Sequence, residues 1–251
     1  MSAPPPVSLP PVSLPPLTDG LDRLWNLVLD IAEKLPAPGW ALVGGQMVML
    51  HGLIAGRTAT RASQDVDLLA DLVTDPNGLA RCVRVVRDLD LTPAPDPAGR
   101  VYRFRRAADD VVADVLAPDH TPPKYSLRTA AGGETIRVAA GRQALERVVA
   151  VTVVKDGRSG IVPVPDLLGA VVLKAAAWST DNRDRERHSG DAAFLVSLLT
   201  DPLAERARFR GSDRKRLGRL DAVLGDPDAA EWRALGEAAA DGHAVWQLLV
   251  A

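Results

Sequence analysis

Two aspartates lie two residues apart in a short, mostly apolar segment, Asp65-Val66-Asp67-Leu68. An extended strand places alternate side chains on the same face, so Asp65 and Asp67 should share one face, about 7 Å apart. Two carboxylates this close repel each other, and a divalent cation removes that repulsion. Mg²⁺ suits such oxygen ligands and commonly combines one or two carboxylates with substrate phosphates. We therefore expect a magnesium site here, although a solvated strand face is the ordinary alternative.

Asp114 is the candidate third metal ligand. It is the single charge within the apolar segment Val111–Leu116. A carboxylate among apolar neighbours is costly unless it is paired or bound to a metal. The alternative is an ion pair with Arg103, Arg105 or Arg106, which belong to the preceding predicted strand.

Gly44 and Gly45 follow a predicted strand and open a predicted helix. Glycine lets the backbone approach a phosphate closely, and a helix N-terminus offers free N–H groups and a partial positive charge. No G-K-[ST] follows the pair, and the G-x-G-x-x-G pattern of dinucleotide sites is absent. A tight turn without a ligand remains the alternative, but the pair precedes the aspartate strand by about twenty residues.

The elements that must position these residues form a mixed α/β half followed by a helical half. In the first half, helices are expected from Thr18 to Pro36, at 46–56 and at 76–89, and strands at 40–43, 65–71, 101–106, 111–116, 135–139 and 148–154. In the second half, helices are expected at 167–178, 191–199 and 212–224, with two short ones between 229 and 250. The fold class is thus α/β (α+β), with a core at 18–163 and a C-terminal helical region at 164–251.

The composition excludes several classes of protein. The 30 basic and 32 acidic residues of the 251 nearly cancel, which argues against coating nucleic acid by bulk charge. One cysteine excludes an internal disulfide framework and a cysteine-based zinc site. No apolar run reaches the roughly 18 residues of a membrane helix, and no basic segment precedes the first apolar residues as in a signal peptide. We expect a cytoplasmic protein with no membrane partner.

The first seventeen residues contain seven prolines and a tandem PPVSL repeat. Such a segment favours an extended polyproline conformation. We expect residues 1–17 to be a disordered leader, with docking into an aromatic groove as the alternative.

Gly44-Gly45, a helix and then Asp65-x-Asp67 resemble the signature of the polymerase-beta-type nucleotidyltransferase superfamily. The finer pattern Arg61-x-Ser63-x-Asp65-x-Asp67 is similar to the AbiEii/AbiGii toxin branch, which includes the MenT-type toxins. The resemblance extends over about 40–199. It implies that the glycine turn, Arg61 and Ser63 bind the nucleotide, and that the strand aspartates with a third from a neighbouring strand hold Mg²⁺.

The helical half resembles that branch too. Pro163-Val-Pro165-Asp166 leads into a helix with Lys174, followed by Arg183, Arg187-His188 and Asp191; His188 stands where the branch usually has an aspartate. The resemblance implies that Lys174 and Arg183 meet the nucleotide and that Lys174 and Asp191 belong to the catalytic set. From the residues alone, Lys174 could extend to the surface, and Asp191 could cap a helix.

The resemblance implies an enzyme that transfers a nucleoside monophosphate from an NTP to an acceptor hydroxyl with Mg²⁺. It also implies the toxin of a toxin–antitoxin or phage-defence pair, with tRNA as an acceptor and a cognate antitoxin as a partner. The excess of basic residues from 206 to 219 is compatible with an RNA acceptor. A small-molecule nucleotidyltransferase and a non-catalytic binding module of the same fold are the alternatives.

Overall fold

The fold comes from a computed structural model that describes residues 7–59, 61, 63–129 and 132–251. Its strands are β1 (Val7–Ser13), β2 (Trp40–Val43), β3 (Val66–Ala70), β4 (Thr92–Pro93), β5 (Arg103–Arg106), β6 (Val111–Pro118), β7 (Arg137–Val138), β8 (Val148–Lys155) and β9 (Arg158–Pro165). Its helices are α1 (Asp19–Lys34), α2 (Gly44–Ile54), α3 (Gly78–Asp88), α4 (Gly141–Leu145), α5 (Leu167–Thr180), α6 (Arg185–Val196), α7 (Pro202–Ala207), α8 (Asp213–Leu224), α9 (Ala230–Arg233) and α10 (Ala239–Val250). The protein is therefore a mixed α/β protein, as the sequence predicts.

The chain divides into two compact units. The first comprises Met1–Met47 and Ala62–Pro165, and the second comprises Val48–Arg61 and Asp166–Ala251. The sequence places its boundary at 163/164, two residues before this division. It does not predict that the later part of α2 and the segment after it join the helical unit.

The main sheet of the first unit has the strand order β2-β3-β6-β5-β4, and β7 extends the end of β6. Strands β3 and β6 are parallel, whereas β2, β5 and β4 run antiparallel to their neighbours. Every residue of β2 and of β6 is buried, so these strands lie inside the unit. The amphipathic helices α1 and α3 bury their apolar sides against this sheet and its neighbours.

A second sheet of the first unit has the order β1-β8-β9. Here the expected disordered leader is wrong for Val7–Ser13, because β1 pairs in parallel with β8 and buries Val12. Pro10 and Pro11 lie where the register shifts, and proline is tolerated in an edge strand, where a missing N–H leaves no partner unsatisfied. Residues 1–6 of the predicted leader lie outside the described part of the chain.

The second unit is helical. Its core contains Leu168, Phe194, Leu220, Trp232, Trp246 and Leu249, all almost fully buried. The two indoles are also satisfied as donors: Trp232 Nε1 donates to the Leu224 carbonyl at 3.0 Å, and Trp246 Nε1 donates to Asp221 Oδ1 at 2.8 Å. In the described part of the chain, no helix is long and apolar enough to cross a membrane.

Candidate active site

The strand register brings the predicted metal ligands together. Asp67 of β3 lies directly opposite Asp114 of the parallel neighbour β6, and Asp65 precedes Asp67 by two residues. One carboxylate oxygen from each of Asp65, Asp67 and Asp114 lies within 4.8 Å of the others. Val66 and Leu68, which alternate with the aspartates, are fully buried. The apolar side of β3 thus fixes the side on which the carboxylates meet.

Gly44 and Gly45 lie against this cluster. A Cβ atom on Gly44 would come within 1.7 Å of Asp67 Oδ2, and the backbone of Gly44 has a φ of +69°. A Cβ atom on Gly45 would come within 2.7 Å of Ser63 Oγ, which itself donates a hydrogen bond to the Asp65 carbonyl at 3.0 Å. Both glycines are therefore required where β2 passes into α2, because any side chain there would occupy the space of Asp67 or Ser63.

The donor set fits a hard divalent cation. Three carboxylates supply only oxygen ligands, and one oxygen from each lies within 4.8 Å of the others, so these residues could hold one ion. In the structure as described, part of their charge is balanced by Arg103. Its Nε donates to Asp114 Oδ1 at 2.8 Å, and its Nη2 donates to Asp114 Oδ2 at 2.8 Å and to Asp65 Oδ2 at 3.2 Å.

The electrostatics of Asp114 reflect two opposing effects. Burial raises the pKa of the Asp114 carboxyl above its ordinary value, and the Arg103 guanidinium opposes that rise. The hydrogen bond to Asp114 in turn raises the pKa of Arg103. From the sequence, metal ligation and pairing with an arginine are alternatives for Asp114. The structure places Asp114 in the acidic cluster and also in an ion pair with Arg103.

The position of Arg103 follows from the register of the hairpin formed by the two predicted strands at 101–106 and 111–116. The turn at 107–110 joins β5 to β6 and sets Arg106 opposite Val111, which puts Arg103 opposite Asp114. Counting back from the turn would have selected Arg103 over Arg105 and Arg106. Those two bind elsewhere: Arg105 pairs with Asp110, and Arg106 pairs with Asp109.

The second unit contains a buried charge network around Asp191. Lys174 Nζ donates to Asp191 Oδ2 at 2.7 Å. Arg61 donates to the same carboxylate from Nε at 2.9 Å and from Nη2 at 2.7 Å. Burial alone would raise the pKa of Asp191, but Lys174 and Arg61 together hold it below its ordinary value. The network holds two cations and one anion, so it carries an excess positive charge.

Two alternative readings of these residues are wrong. Lys174 does not extend to the surface, because its side chain is only 5% exposed and ends on Asp191. Asp191 does not cap a helix, because α6 begins at Arg185 and Asp191 lies inside it. The charged residues before Asp191 make this helix start hard to predict from the sequence. In the structure, Arg185, Glu186 and Arg187 form the exposed first turn of the helix and not a solvated loop.

Arg183 and His188 lie near the start of α6. Arg183 is exposed, and its backbone N–H donates to Asp181 Oδ1 at 2.9 Å. His188 is buried, with Nε2 3.4 Å from Asp181 Oδ2. Burial lowers the pKa of His188, and the charges of Lys174 and Arg187 lower it further, while Asp181 opposes them. The sequence does not anticipate this pairing of Asp181 with His188.

Comparison with known proteins finds a solved structure that is similar to this chain. No family model matches the chain, and no curated protein matches it. A crystal structure of an antigenic nucleotidyltransferase-like protein from Paracoccidioides brasiliensis is 18% identical to this chain, with a TM-score of 0.48. The match covers 90% of this chain and 94% of that one.

Proposed function

We propose that this protein is a magnesium-dependent nucleotidyltransferase. The observation that carries the proposal is the convergence of Asp65, Asp67 and Asp114 beside a glycine pair at a helix N-terminus. Carboxylates from neighbouring strands can hold a divalent cation, and glycine backbone beside them leaves room for phosphate. The sequence resemblance to the polymerase-beta-type superfamily supports the same assignment with the same residues.

The proposed reaction transfers a nucleoside monophosphate to a hydroxyl group. The acceptor oxygen forms a bond to the α-phosphorus, and the bond from that phosphorus to the oxygen shared with the β-phosphate breaks. Pyrophosphate leaves, and the proton of the acceptor hydroxyl passes to solvent. Bound Mg²⁺ would supply charge neutralisation for the phosphates and make the acceptor hydroxyl more acidic. Such catalysis depends mainly on positioning and on electrostatic stabilisation.

Within this proposal, each predicted site residue has a role. Asp65, Asp67 and Asp114 hold the metal, and Gly44 and Gly45 meet the nucleotide phosphates through backbone N–H groups at the start of α2. Ser63, which the resemblance assigns to nucleotide binding, also donates to the Asp65 carbonyl and so orients the segment that carries Asp65. Lys174, Arg61 and Arg183 are proposed to bind nucleotide phosphates. Asp191 is proposed to hold the side chains of Lys174 and Arg61 in place. The roles of Arg61, Lys174, Arg183 and Asp191 rest on the resemblance to the toxin branch.

RNA is the acceptor that we propose, with tRNA as the form that the resemblance favours. The supporting observation is a group of exposed basic residues on and just before α8 in the second unit, namely Arg210, Arg214, Lys215 and Arg219. A phosphate backbone is the polyanion that such a surface suits. The proposal includes a role as the toxin of a toxin–antitoxin or phage-defence pair, with a cognate antitoxin as partner, and this part rests on the resemblance alone.

A non-catalytic binding module is the second candidate function, because Arg103 already neutralises Asp114. The two candidates are separated by incubating the protein with each α-labelled NTP in Mg²⁺, together with total RNA or small hydroxyl compounds. Our proposal predicts label in RNA, and none with the Asp65→Asn variant, which removes charge at nearly constant shape. Label in small compounds alone would replace the RNA acceptor with a small-molecule one. The absence of transfer under every condition would support the binding module.

A further inference from the structure

Arg103 binds two members of the acidic cluster at once. Its guanidinium donates to both oxygens of Asp114 and to one oxygen of Asp65. Parallel hydrogen bonds from one guanidinium to one carboxylate are among the strongest that proteins form, because both partners are charged and the geometry matches. Asp114 is 8% exposed in its side chain, so few water molecules compete with Arg103 for it.

The backbone keeps Arg103 in this place. Arg103 lies opposite Asp114 in the antiparallel pair of β5 and β6, and the adjacent Phe104 is fully buried on the other face of the strand. A slip of one residue would expose Phe104 and bury the charge, so the register is strongly fixed. The side chain itself is less confined, since 40% of it is exposed and its tip can withdraw toward solvent.

Arg103 and a metal ion therefore require the same atoms. Both carboxylate oxygens of Asp114 accept bonds from Arg103, so a metal bound to Asp114 would share an oxygen atom with the guanidinium. A guanidinium and a divalent cation also repel each other at ligand distances.

We propose that Arg103 is an internal counter-ion that competes with the divalent cation for Asp114, and that metal binding requires its guanidinium to leave that carboxylate. The proposal rests on the metal site of the proposed function. Arg103 is thus a positioning residue: it holds Asp65 and Asp114 together while no metal is bound, and it sets how much metal is needed to fill the site.

Mn²⁺ affinity, measured by electron paramagnetic resonance without nucleotide, tests the competition. Arg103→Gln removes the competing cation, whereas Arg105→Gln is the matched control. Arg105 lies two residues from Arg103 on the same face of β5, and Arg105→Gln also removes one charge, but Arg105 pairs with the exposed Asp110. We expect Arg103→Gln to bind Mn²⁺ about ten- to a hundredfold more tightly than Arg105→Gln, the range of one or more charged hydrogen bonds. Affinities within about threefold of each other would overturn the proposal.

The departure of Arg103 is measured separately on the unaltered protein. The Nε–H resonance of Arg103 in a nitrogen-correlated spectrum should shift or broaden when Mg²⁺ is added, and that of Arg105 should not. This measurement does not depend on the folding of a variant. An Arg103 resonance that is unchanged when calorimetry shows the site to be filled would contradict the proposal and leave the metal site intact. If neither the native protein nor Arg103→Gln binds Mn²⁺, the metal site of the proposed function fails with it.

Discussion

Three carboxylates and one guanidinium share a small volume at the centre of the proposed site. Asp65, Asp67 and Asp114 repel one another, and Arg103 offsets part of that repulsion. Alternation along β3 places Asp65 beside Asp67, and the register of the β5–β6 hairpin places Arg103 beside Asp114, while the parallel pairing of β3 with β6 brings the two pairs together. Short-range strand geometry therefore predicts each pair from the sequence, whereas the contact between the two pairs depends on the long-range pairing of β3 with β6.

Gly44 gives a prediction about close packing. Gly44→Ala should destabilise the protein by more than the roughly 1–2 kcal/mol that a left-handed conformation costs an alanine, because the new Cβ would overlap Asp67. Gly157→Ala is the matched control, since Gly157 has a φ of +78° but open space around it. Urea denaturation measures both. Equal losses of stability would show that Asp67 does not lie against Gly44.

Lys174 and Asp191 give a prediction about a buried ion pair. Removing the ammonium by Lys174→Met leaves a carboxylate that is 1% exposed with Arg61 as its remaining cation. We expect Lys174→Met to lower the free energy of unfolding by about 1–3 kcal/mol. The double variant Lys174→Met/Asp191→Asn should lose less of that free energy than the two single variants lose in sum. The sequence alone predicts little effect on stability, because it cannot show which residue meets Lys174. Additive losses in urea denaturation would mean that the two side chains do not interact.

His188 gives a prediction about pH. Its pKa is lowered in the folded state, so the unfolded chain takes up a proton first as the pH falls below about 6.5. Folding stability should therefore decrease on acidification from pH 7 to 5, by at most about 1.4 kcal/mol per pH unit from this group. Thermal melts of His188→Asn should show a smaller decrease, whereas the exposed His120→Asn should behave like the native protein. An identical pH dependence for His188→Asn would contradict this account.

At the scale of elements, two of the strands that the sequence misses contain prolines: β1, whose partner β8 lies far away in the chain, and β9, which follows β8 after a two-residue turn. Val7–Ser13 looks unsuited to a sheet because of its prolines, and Arg158–Pro165 contains a glycine and two prolines. Both nevertheless pair with β8 over most of their length. Local propensity disfavours each strand, and only the neighbour supplies the missing stabilisation.

β1 gives a prediction about the N-terminal segment. Deleting residues 1–13 removes the pairing with β8 and exposes the surface that Val12 covers, a loss of roughly 1.5–3 kcal/mol if burial dominates. In a domain of this size each kcal/mol corresponds to about 2–4 °C in Tm, so we expect a decrease of several degrees. Deleting residues 1–6 alone is the control and keeps β1. Equal melting temperatures for the two deletions would mean that β1 does not hold to the sheet.

At the scale of the whole molecule, the sequence predicts the succession of an α/β part and a helical part, but not that residues 48–61 join the second unit. Helix α2 is apolar on most sides, with Met47, Val48, Leu50 and Ile54 distributed around it. It has no polar face to show where one partner ends and the next begins. Its division between the units depends on long-range packing, which cannot be predicted from the hydrophobic periodicity of the sequence.

The central claim is that the carboxylate cluster binds a nucleotide together with a divalent cation. Calorimetric titration of each NTP in Mg²⁺ and in EDTA tests it most directly, using the native protein, Asp67→Asn and the control Asp110→Asn, which alters a carboxylate in the exposed turn. We predict that at least one NTP binds the native protein and Asp110→Asn only when Mg²⁺ is present, and that a folded Asp67→Asn binds it at least about tenfold more weakly. Binding that is equal in EDTA, or undiminished in Asp67→Asn, would contradict the claim.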